Sequence, residues 1–415
     1  KNVSVNITME VLIMPTKEET IKALYPEDIL SIAKDLTEGE VKLLKQLNDM
    51  LEEKYRDSVN EHWLNATEPE DYFEELGKLN YFRNPLLFEG REGAQTPSQM
   101  FQFFMSYTIA RFDVSLATLL GVHQGLGHNS FWFGGSKEQQ AYYLPKLQSH
   151  ELRTCFALTE PEHGSDVAGG LETTAKREGD EWIINGEKKW IGGANVADVM
   201  PVYAVDVDTG KPKGFIIEPS QEGVEIELLE HKIALRIVPN AKIRLKNVVV
   251  KEDKRLQNIN SFKDIAKVLY STRAGVAYMA TGAMAGALRA TTDYVTKRKQ
   301  FGKEISKFQL IQEKLAMMQG NLAQAMATCA QLARMQANGE YDEVATSTAK
   351  MMNSLRLRES VAMGRGVHGG NGILAGEYDI ARFFADAEAI YTYEGTHEVN
   401  ALVIGRAITG DSAFI

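Results

Sequence analysis

Apolar residues recur at helical spacing through the first third of the chain, three or four positions apart, which predicts amphipathic helices. Ser136, followed by Gln139, is typical of a helix N-cap with a capping box. Small and apolar residues over 113–127 indicate a buried helix. We predict helices over 18–25, 37–55, 97–120 and 136–147, and assign residues 1–150 to an N-terminal all-α domain.

The spacing of apolar residues changes to two after position 150. Residues 181–191 read as two short strands around Asn185-Gly186, a dipeptide typical of hairpin turns. Further strands are predicted over 200–205, 214–218, 224–229 and 241–250. Their regular spacing favours an antiparallel barrel or sandwich, and this middle β-domain is assigned to residues 151–255.

Helical spacing returns in the last part of the chain. Residues 273–296 are rich in Ala and Gly, and residues 309–338 and 341–364 are long and amphipathic. Long helices with short joints favour a four-helix bundle, assigned to residues 256–415. The expected fold class is therefore α+β: helices, then a β-barrel-like domain, then a helical bundle.

Composition narrows the functional classes. A chain of 415 residues is expected to form two or three domains, and its formal charge of −10 disfavours non-specific binding to nucleic acid or anionic membranes. The 2 cysteines and 8 histidines form no metal-ligand spacing. We read no signal peptide in residues 1–15 and no apolar run that could span a membrane, so we expect a cytoplasmic protein, or a mitochondrial-matrix protein in a eukaryote.

Candidate chemistry centres on Glu394, which precedes Gly395 and follows the glycine-rich turn Gly369–Gly372. A carboxylate beside glycine suits removal of a weakly acidic proton from a substrate lying against the backbone. The alternative is a helix cap or a loop glutamate facing water.

Three further segments could hold a cofactor. Residues 158–166 predict a tight turn with exposed amides, Trp190 ends the predicted hairpin and could cover a planar ring, and Arg298 could grip a pyrophosphate. Read singly, they could equally be an ordinary loop, a core tryptophan and a solvated basic helix end.

Taken in this order, the segments resemble one family, the flavin-dependent acyl-CoA dehydrogenases and oxidases. The resemblance covers roughly residues 20–415. The C-terminal run, from Thr392 to Gly410, is most similar to the glutaryl-CoA dehydrogenase branch and to plant-type short-chain acyl-CoA oxidases. The motifs that carry the resemblance are Leu158-Thr159-Glu160-Pro161, Gly164-Ser165-Asp166, Trp190-Ile191, Arg298 with Phe301-Gly302, Gly369–Gly372 and Tyr393-Glu394-Gly395-Thr396.

The resemblance implies that Glu394 is the base that removes the α-proton of an acyl thioester, while a hydride leaves the β-carbon for FAD. The product is a trans-2-enoyl-CoA. The backbone N–H of Glu394 would hold the thioester oxygen as charge develops there.

The resemblance also assigns binding residues. Ser165 and Arg273 match positions that contact CoA, and Tyr393 and Gly395 flank the base at the substrate. Sharing of FAD between subunits implies a homotetramer, or at least a dimer. The FAD positions are Phe156, Leu158, Thr159, Ser165, Trp190, Ile191 and Gly192, with Thr396 and Glu398 near the diphosphate, and Arg298, Phe301, Gln309, Gly366, Val367, His368, Gly369 and Gly370 reaching a neighbouring subunit's cofactor.

The chain departs from the family pattern at several positions. Ala117 stands where glutaryl-CoA dehydrogenases carry an arginine for the distal carboxylate, and Gly121 replaces a serine, so a short, uncharged acyl group is expected. Gly192 replaces the threonine usual in dehydrogenases, as in oxidase relatives. Gly366 replaces a glutamine, and His368 an apolar residue.

Four functions follow from these observations. The first is an FAD-dependent acyl-CoA dehydrogenase that passes electrons to an electron-transfer flavoprotein. An acyl-CoA oxidase is the alternative that Gly192 supports. Glutaryl-CoA dehydrogenation and a non-catalytic acyl-CoA-binding role are less favoured, because of Ala117 and of an intact Glu394 respectively.

Overall fold

The computed structural model describes residues 15–414. Two capping boxes begin helices where the sequence predicts them: Thr16 accepts from the Glu19 N–H, and Thr37 from the Glu40 N–H. Ser136 caps the helix that follows it in the same way. The N-terminal helices are α1 (Lys17–Leu24), α2 (Glu38–Tyr55), α3 (Val59–Asn65), α4 (Tyr72–Leu79), α5 (Gln99–Phe112), α6 (Val114–Leu120), α7 (His128–Gly134) and α8 (Lys137–Gln148).

The single helix predicted over 97–120 is wrong, because Asp113 divides it. Asp113 is extended, with φ −156°, and its side chain accepts from the Leu116 N–H to begin α6. Its other oxygen accepts from Arg382 Nε at 2.7 Å, and both side chains are buried. The break therefore places a carboxylate where it joins the N-terminal helices to the C-terminal part of the chain.

A π-helical turn over Gly121–Gly127 continues α6 into α7. Such turns insert an extra residue into a helix and are found mostly at functional sites. The predicted buried helix over 113–127 is therefore α6 followed by a widened turn.

The middle of the chain forms the strands β1 (Thr174–Glu178), β2 (Glu181–Gly192), β3 (Met200–Asp206), β4 (Pro212–Ile217), β5 (Val224–Leu228), β6 (Asn240–Lys251) and β7 (Arg255–Leu256). They make one seven-stranded sheet in the order β5-β6-β2-β1-β3-β4-β7. The prediction of an all-antiparallel barrel is wrong, because β1 and β3 run parallel. Within residues 15–414 no ladder joins the outer strands β5 and β7, so the sheet is open. A short helix, α9 (Val167–Gly170), precedes the first strand.

The predicted hairpin at Asn185-Gly186 is also wrong, since both residues lie inside β2. Gly186, with φ +148°, accompanies a register shift against β6, and a Cβ there would lie 2.6 Å from Thr173 Cα. The hairpin between β1 and β2 turns instead at Gly179-Asp180. Glycine is thus used here for a bulge and a close backbone approach.

The C-terminal part is helical, as predicted, with α10 at its centre. Helix α10 packs against α5 and against the three helices that follow it. The basic segment predicted to end this helix instead lies beyond it, in a small hairpin. The elements are α10 (Phe262–Val295), β8 (Lys299–Gln300), β9 (Lys303–Glu304), α11 (Gln309–Ala337), α12 (Glu343–Val367), α13 (Asp379–Thr392) and α14 (His397–Thr409).

One hydrophobic core spans both helical parts of the chain, and a second lies within the sheet. A smaller cluster joins α7 and α8 to the sheet and to the start of α10. No described helix has the length and apolar character needed to cross a membrane.

Candidate active site

Glu394 lies in the short connection between α13 and α14. It has φ +53°, a left-handed conformation that is unfavourable for a non-glycine residue, and Gly395 follows with φ +86°. Thr396 then caps α14 by accepting from the Val399 N–H at 3.2 Å. The chain thus turns sharply between two helices, and the turn directs the Glu394 side chain towards α10.

The carboxylate of Glu394 contacts Thr272 on α10. The Thr272 hydroxyl lies 2.8 Å from Glu394 Oε2 and 3.0 Å from the Leu269 carbonyl oxygen. Its single proton serves one acceptor at a time, and an ionised Glu394 is the stronger one. Burial raises the pKa of Glu394, while the Thr272 hydrogen bond and the charges of Lys350 and Arg273 act in the opposite direction. Such a carboxyl group is suited to accept and hold a proton.

Two cations lie behind this carboxylate. Arg273, next to Thr272, donates to Ser347 Oγ at 2.9 Å and lies 3.5 Å from Glu343 Oε1. Its Nε atom is buried without a hydrogen-bond partner among the described residues. Lys350, on α12, is fully buried, and burial lowers its pKa to about 8.

The π-helical turn packs against α10 on one side and the sheet on the other. A Cβ added at Gly125 would lie 3.2 Å from Thr272 Cγ2, and one at Gly121 3.6 Å from Met279 Cε. On the sheet side, a Cβ at Gly192 would lie 3.6 Å from Val122 Cγ2. The turn therefore links the end of β2 to the residue that contacts Glu394.

Apolar and hydroxyl side chains of α6 and α10 lie near Tyr393. The Tyr393 hydroxyl lies 3.3 Å from Thr118 Oγ1 and 4.0 Å from Met279 Sδ. Ala117, beside Thr118, is buried. This surface carries no formal charge of its own.

Trp190 lies on a bulge near the end of β2, where two residues face one on β6. It has φ +66° and its side chain is 55% exposed, whereas Ile191 and Gly192 are buried. The carbonyls of Leu158 and Thr159 accept from Lys188 Nζ at 3.0 Å and from the Lys189 N–H at 2.9 Å. The bulge thus leaves the indole partly exposed, two residues before Gly192.

Of the other residues assigned to the first cofactor segment, Phe156 is half-buried against Tyr203, with ring centroids 5.2 Å apart, and Ser165 is exposed. Glu398 is exposed on the first turn of α14.

The residues assigned to a neighbouring subunit's cofactor lie on a different part of the surface. Phe301 is 94% exposed at the tip of the β8–β9 hairpin. No described hydrogen bond or ring contact joins this group to Glu394. His368 differs from the rest: it is buried, and its ring stacks on Tyr294 at 4.0 Å between centroids. Arg298, Gln309, Gly366, Gly369 and Gly370 are exposed, and Val367 is half-buried.

Sequence reasoning missed two features of the site. Lys350 belongs to the buried face of α12 with Thr346, Asn353 and Leu357, at spacings of three and four residues. A lysine in such a stripe is an available signal, because buried lysine is rare. The π-helical turn has no comparable signature beyond its three glycines.

The comparisons with known proteins agree with this architecture. Family models for the N-terminal, middle and C-terminal domains of acyl-CoA dehydrogenases match residues 37–151, 155–248 and 262–409. A 3-(aryl)acrylate reductase of Clostridium sporogenes is 38% identical over 279 residues, 66% of this chain and 73% of the relative. The chain belongs to the acyl-CoA dehydrogenase family. It is therefore related to oxidoreductases that act on CH–CH bonds.

Other members of the acyl-CoA dehydrogenase family are similar over more of the chain. The caffeyl-CoA reductase–Etf complex subunit CarC of Acetobacterium woodii is 32% identical over 81% of this chain and 89% of its own. Glutaryl-CoA dehydrogenase from Mycobacterium smegmatis superimposes with a TM-score of 0.86, at 30% identity, over 94% of this chain and 99% of its own. A second structure of that enzyme, in complex with FADH2, has the same TM-score at 29% identity and the same coverage.

Proposed function

We propose that this acyl-CoA dehydrogenase family member removes the α-proton of a short, uncharged acyl-CoA with Glu394 and forms a trans-2-enoyl-CoA. The observation that carries the proposal is the contact of the half-buried Glu394, whose carboxyl pKa is raised by desolvation, with Thr272, in a turn held between two helices. A solvated loop glutamate would have neither the raised pKa nor the fixed partner.

Each residue of the proposed site has its own role. Glu394 accepts the α-proton on its carboxylate, and its backbone N–H is the candidate donor to the thioester oxygen. Thr272 orients the carboxylate through its hydroxyl. Arg273, whose buried Nε lacks a partner, is the candidate contact for the CoA portion. A positioned base of this kind contributes about two to four powers of ten in rate.

The end of β2 fits an isoalloxazine ring. Trp190 is 55% exposed on its bulge, and Gly192, two residues further on, has no side chain. We propose that these residues, with Phe156, Leu158 and Thr159, hold FAD, as the FADH2 complex of the Mycobacterium smegmatis relative supports. When bound, FAD accepts the hydride that leaves the β-carbon.

An uncharged acyl group fits the residues near Tyr393. Thr118, Met279 and Ala117 offer a hydroxyl, a thioether and a methyl group. A buried distal carboxylate would need a cation, and position 117 does not supply one. We therefore do not propose glutaryl-CoA as the substrate, although a glutaryl-CoA dehydrogenase superimposes well.

A homotetramer is proposed from the exposed apolar residues of the C-terminal part. Phe301, Leu310 and Ile373 are 94%, 77% and 70% exposed, and contacts between subunits would cover them. An electron-transfer flavoprotein is proposed as the acceptor, because the Acetobacterium woodii relative is named as a subunit of an Etf complex.

Anaerobic mixing of the FAD-loaded protein with acyl-CoA thioesters tests the proposal. Wild-type protein is expected to lose the visible absorbance of its flavin, fastest with a short, uncharged chain. Glu394→Gln is expected to keep FAD and bind the thioester but to bleach at least about a hundredfold more slowly. Glu388→Gln, on the exposed side of α13, is the matched control and should bleach like wild type.

Near-normal bleaching by Glu394→Gln would remove that residue from its role. A colourless protein that takes up no FAD would favour a non-catalytic relative. Because two relatives are named reductases, the panel should include enoyl and aryl-acryloyl thioesters mixed with the chemically reduced protein.

An acyl-CoA oxidase is the second candidate, favoured by Gly192. A Cβ there would meet Val238 Cγ1 at 3.3 Å and Val122 Cγ2 at 3.6 Å, so the position is small and closely surrounded. Stopped-flow mixing of substrate-reduced protein with oxygen distinguishes the two functions. Reoxidation by oxygen as fast as turnover with an artificial dye supports the oxidase, and much slower reoxidation supports the dehydrogenase.

A further inference from the structure

Lys350 holds the backbone on both sides of Glu394. Its ammonium donates to the Tyr391 carbonyl at 3.1 Å and to the Gly395 carbonyl at 2.6 Å. The first acceptor is in the last turn of α13, and the second directly follows Glu394. Lys350 has no carboxylate oxygen within 4.0 Å among the described residues, although it is fully buried.

We propose that Lys350 is a positioning residue for Glu394: its ammonium fixes the turn that presents the base, and its charge favours the ionised carboxylate. The inference rests on the proposed function of Glu394. It assigns a role to a residue on α12, a helix that supplies none of the residues proposed to contact the reacting carbons.

The positions of the two carbonyls explain the first part. The last carbonyls of an α-helix lack partners within the helix, and a cation at this end also interacts favourably with the helix dipole. Lys350 therefore caps α13 from a neighbouring helix. Its second bond stabilises the left-handed turn at Glu394 and Gly395, which the backbone does not favour by itself.

The surrounding charges explain the second part. Arg273 from α10, Glu398 from α14 and Tyr393 are the other titratable groups that act on this pair. Burial disfavours the charged forms of both Lys350 and Glu394, and each charge favours the other. Removing the lysine charge should therefore make the carboxyl hold its proton to higher pH.

The test compares Lys350→Met with wild type in anaerobic flavin reduction by a reactive thioester, measured across pH. In the profile of reduction rate against pH, the midpoint of the acid limb should rise by about one pH unit in Lys350→Met, because Glu394 loses a nearby opposite charge. Lys350→Arg, which keeps the charge, should stay close to wild type. If the methionine variant does not retain FAD, Lys350→Gln takes its place.

Asn400→Leu is the uncharged control. Asn400 Nδ2 donates to the same Gly395 carbonyl at 3.0 Å, so its loss disturbs the turn without removing a charge. It should slow flavin reduction and leave the acid limb in place. An equal shift in Asn400→Leu, or an unshifted limb in Lys350→Met, would overturn the role of the lysine charge.

Hydrogen–deuterium exchange supplies a readout that needs no turnover. Peptides covering residues 391–397 should exchange faster in Lys350→Met than in wild type, with unchanged exchange in the sheet. Equal exchange would overturn the backbone role of Lys350. If wild type bleaches with no thioester, the proposed function fails, whereas the exchange experiment still decides whether Lys350 holds this turn.

Discussion

Two lysines of residues 15–414 are buried, and their surroundings differ. Lys188, in the sheet, contacts Glu160 Oε1 at 2.7 Å and the Leu158 carbonyl at 3.0 Å. Lys350, in the helical part, donates hydrogen bonds to two backbone carbonyls and lies near the Glu394 carboxyl. Both are fully buried, and burial lowers the pKa of each to about 8.

This difference in surroundings distinguishes Lys188, which supports the fold, from Lys350, which lies at the candidate active site. Burial alone would raise the pKa of Glu160, but the Lys188 charge and hydrogen bonds that include two backbone N–H donors hold it below its ordinary value. Glu394 has a raised pKa despite Lys350 and Thr272. In the first pair the Glu160 carboxylate is compensated and stays ionised, whereas the second pair retains a carboxyl that can gain and lose a proton.

The largest expected effect is a loss of folding stability when the pair of Lys188 and Glu160 is broken. Lys188→Met should destabilise the protein by about 3–5 kcal/mol, because it leaves the Glu160 carboxylate buried and unpaired. Lys350→Met should cost less, since Glu394 can take up a proton. The check is urea unfolding of both variants with the same excess of FAD. Equal losses would erase the distinction between the two lysines.

A matched double variant sharpens this comparison. Glu160→Leu combined with Lys188→Met removes both charges, and should recover much of the loss seen in Lys188→Met alone. No recovery would show that packing, rather than the unpaired carboxylate, accounts for the loss.

The next effect is a pH dependence of folding stability, and it comes from a cluster of three histidines. At and beside the π-helical turn, His123 and His128 are buried and His150 is half-buried, and no carboxylate of residues 15–414 lies at their ring nitrogens. Burial lowers the pKa of His123 well below its usual value, and those of His128 and His150 to about 4. These groups remain neutral in the folded protein, unlike the two lysines.

The sign of the pH effect follows from these shifts. Below the unfolded-state histidine pKa of about 6.5, the unfolded chain binds protons that the folded protein does not, so stability falls as pH decreases towards 4. Between pH 7 and pH 6 the free energy of unfolding should fall by about 2 kcal/mol through the three histidines together. Urea unfolding at both pH values tests this, with His128→Gln as a variant that should reduce the dependence. A pH-independent unfolding free energy in this window would contradict it.

The smallest effect concerns the hydroxyl at the base. Thr272→Val removes the donor to Glu394 Oε2 while keeping the side-chain shape. Flavin reduction by substrate should slow by about tenfold, because a hydrogen bond to a charged group is lost. Its acid limb should move to higher pH, in the same direction as for Lys350→Met. Thr272→Ser, which keeps the hydroxyl, is the control; equally slow reduction in that variant would assign the effect to packing.

Local sequence signals predicted much of the fold. Ser136 caps a helix as expected, and helices begin close to the predicted positions 18 and 37. The order of helical, sheet and helical parts follows from the change in apolar spacing. Local predictions were wrong where contacts with other parts of the chain decide the conformation. Asn185-Gly186 favours a hairpin, but its packing against Thr173 and β6 places the dipeptide within a strand. Asp113 likewise ends a helix where it meets Arg382, which is far away in sequence.

The sequence by itself determined the family resemblance, because ordered motifs and helix caps depend on residues close together in the chain. It also singled out Glu394 as the candidate base. The tertiary structure alone decided which side chains surround that carboxyl: Thr272 and Lys350 come from helices 122 and 44 positions away in sequence. Burial and charge act through space, so the proton affinity of Glu394 depends on helix packing that no local pattern encodes.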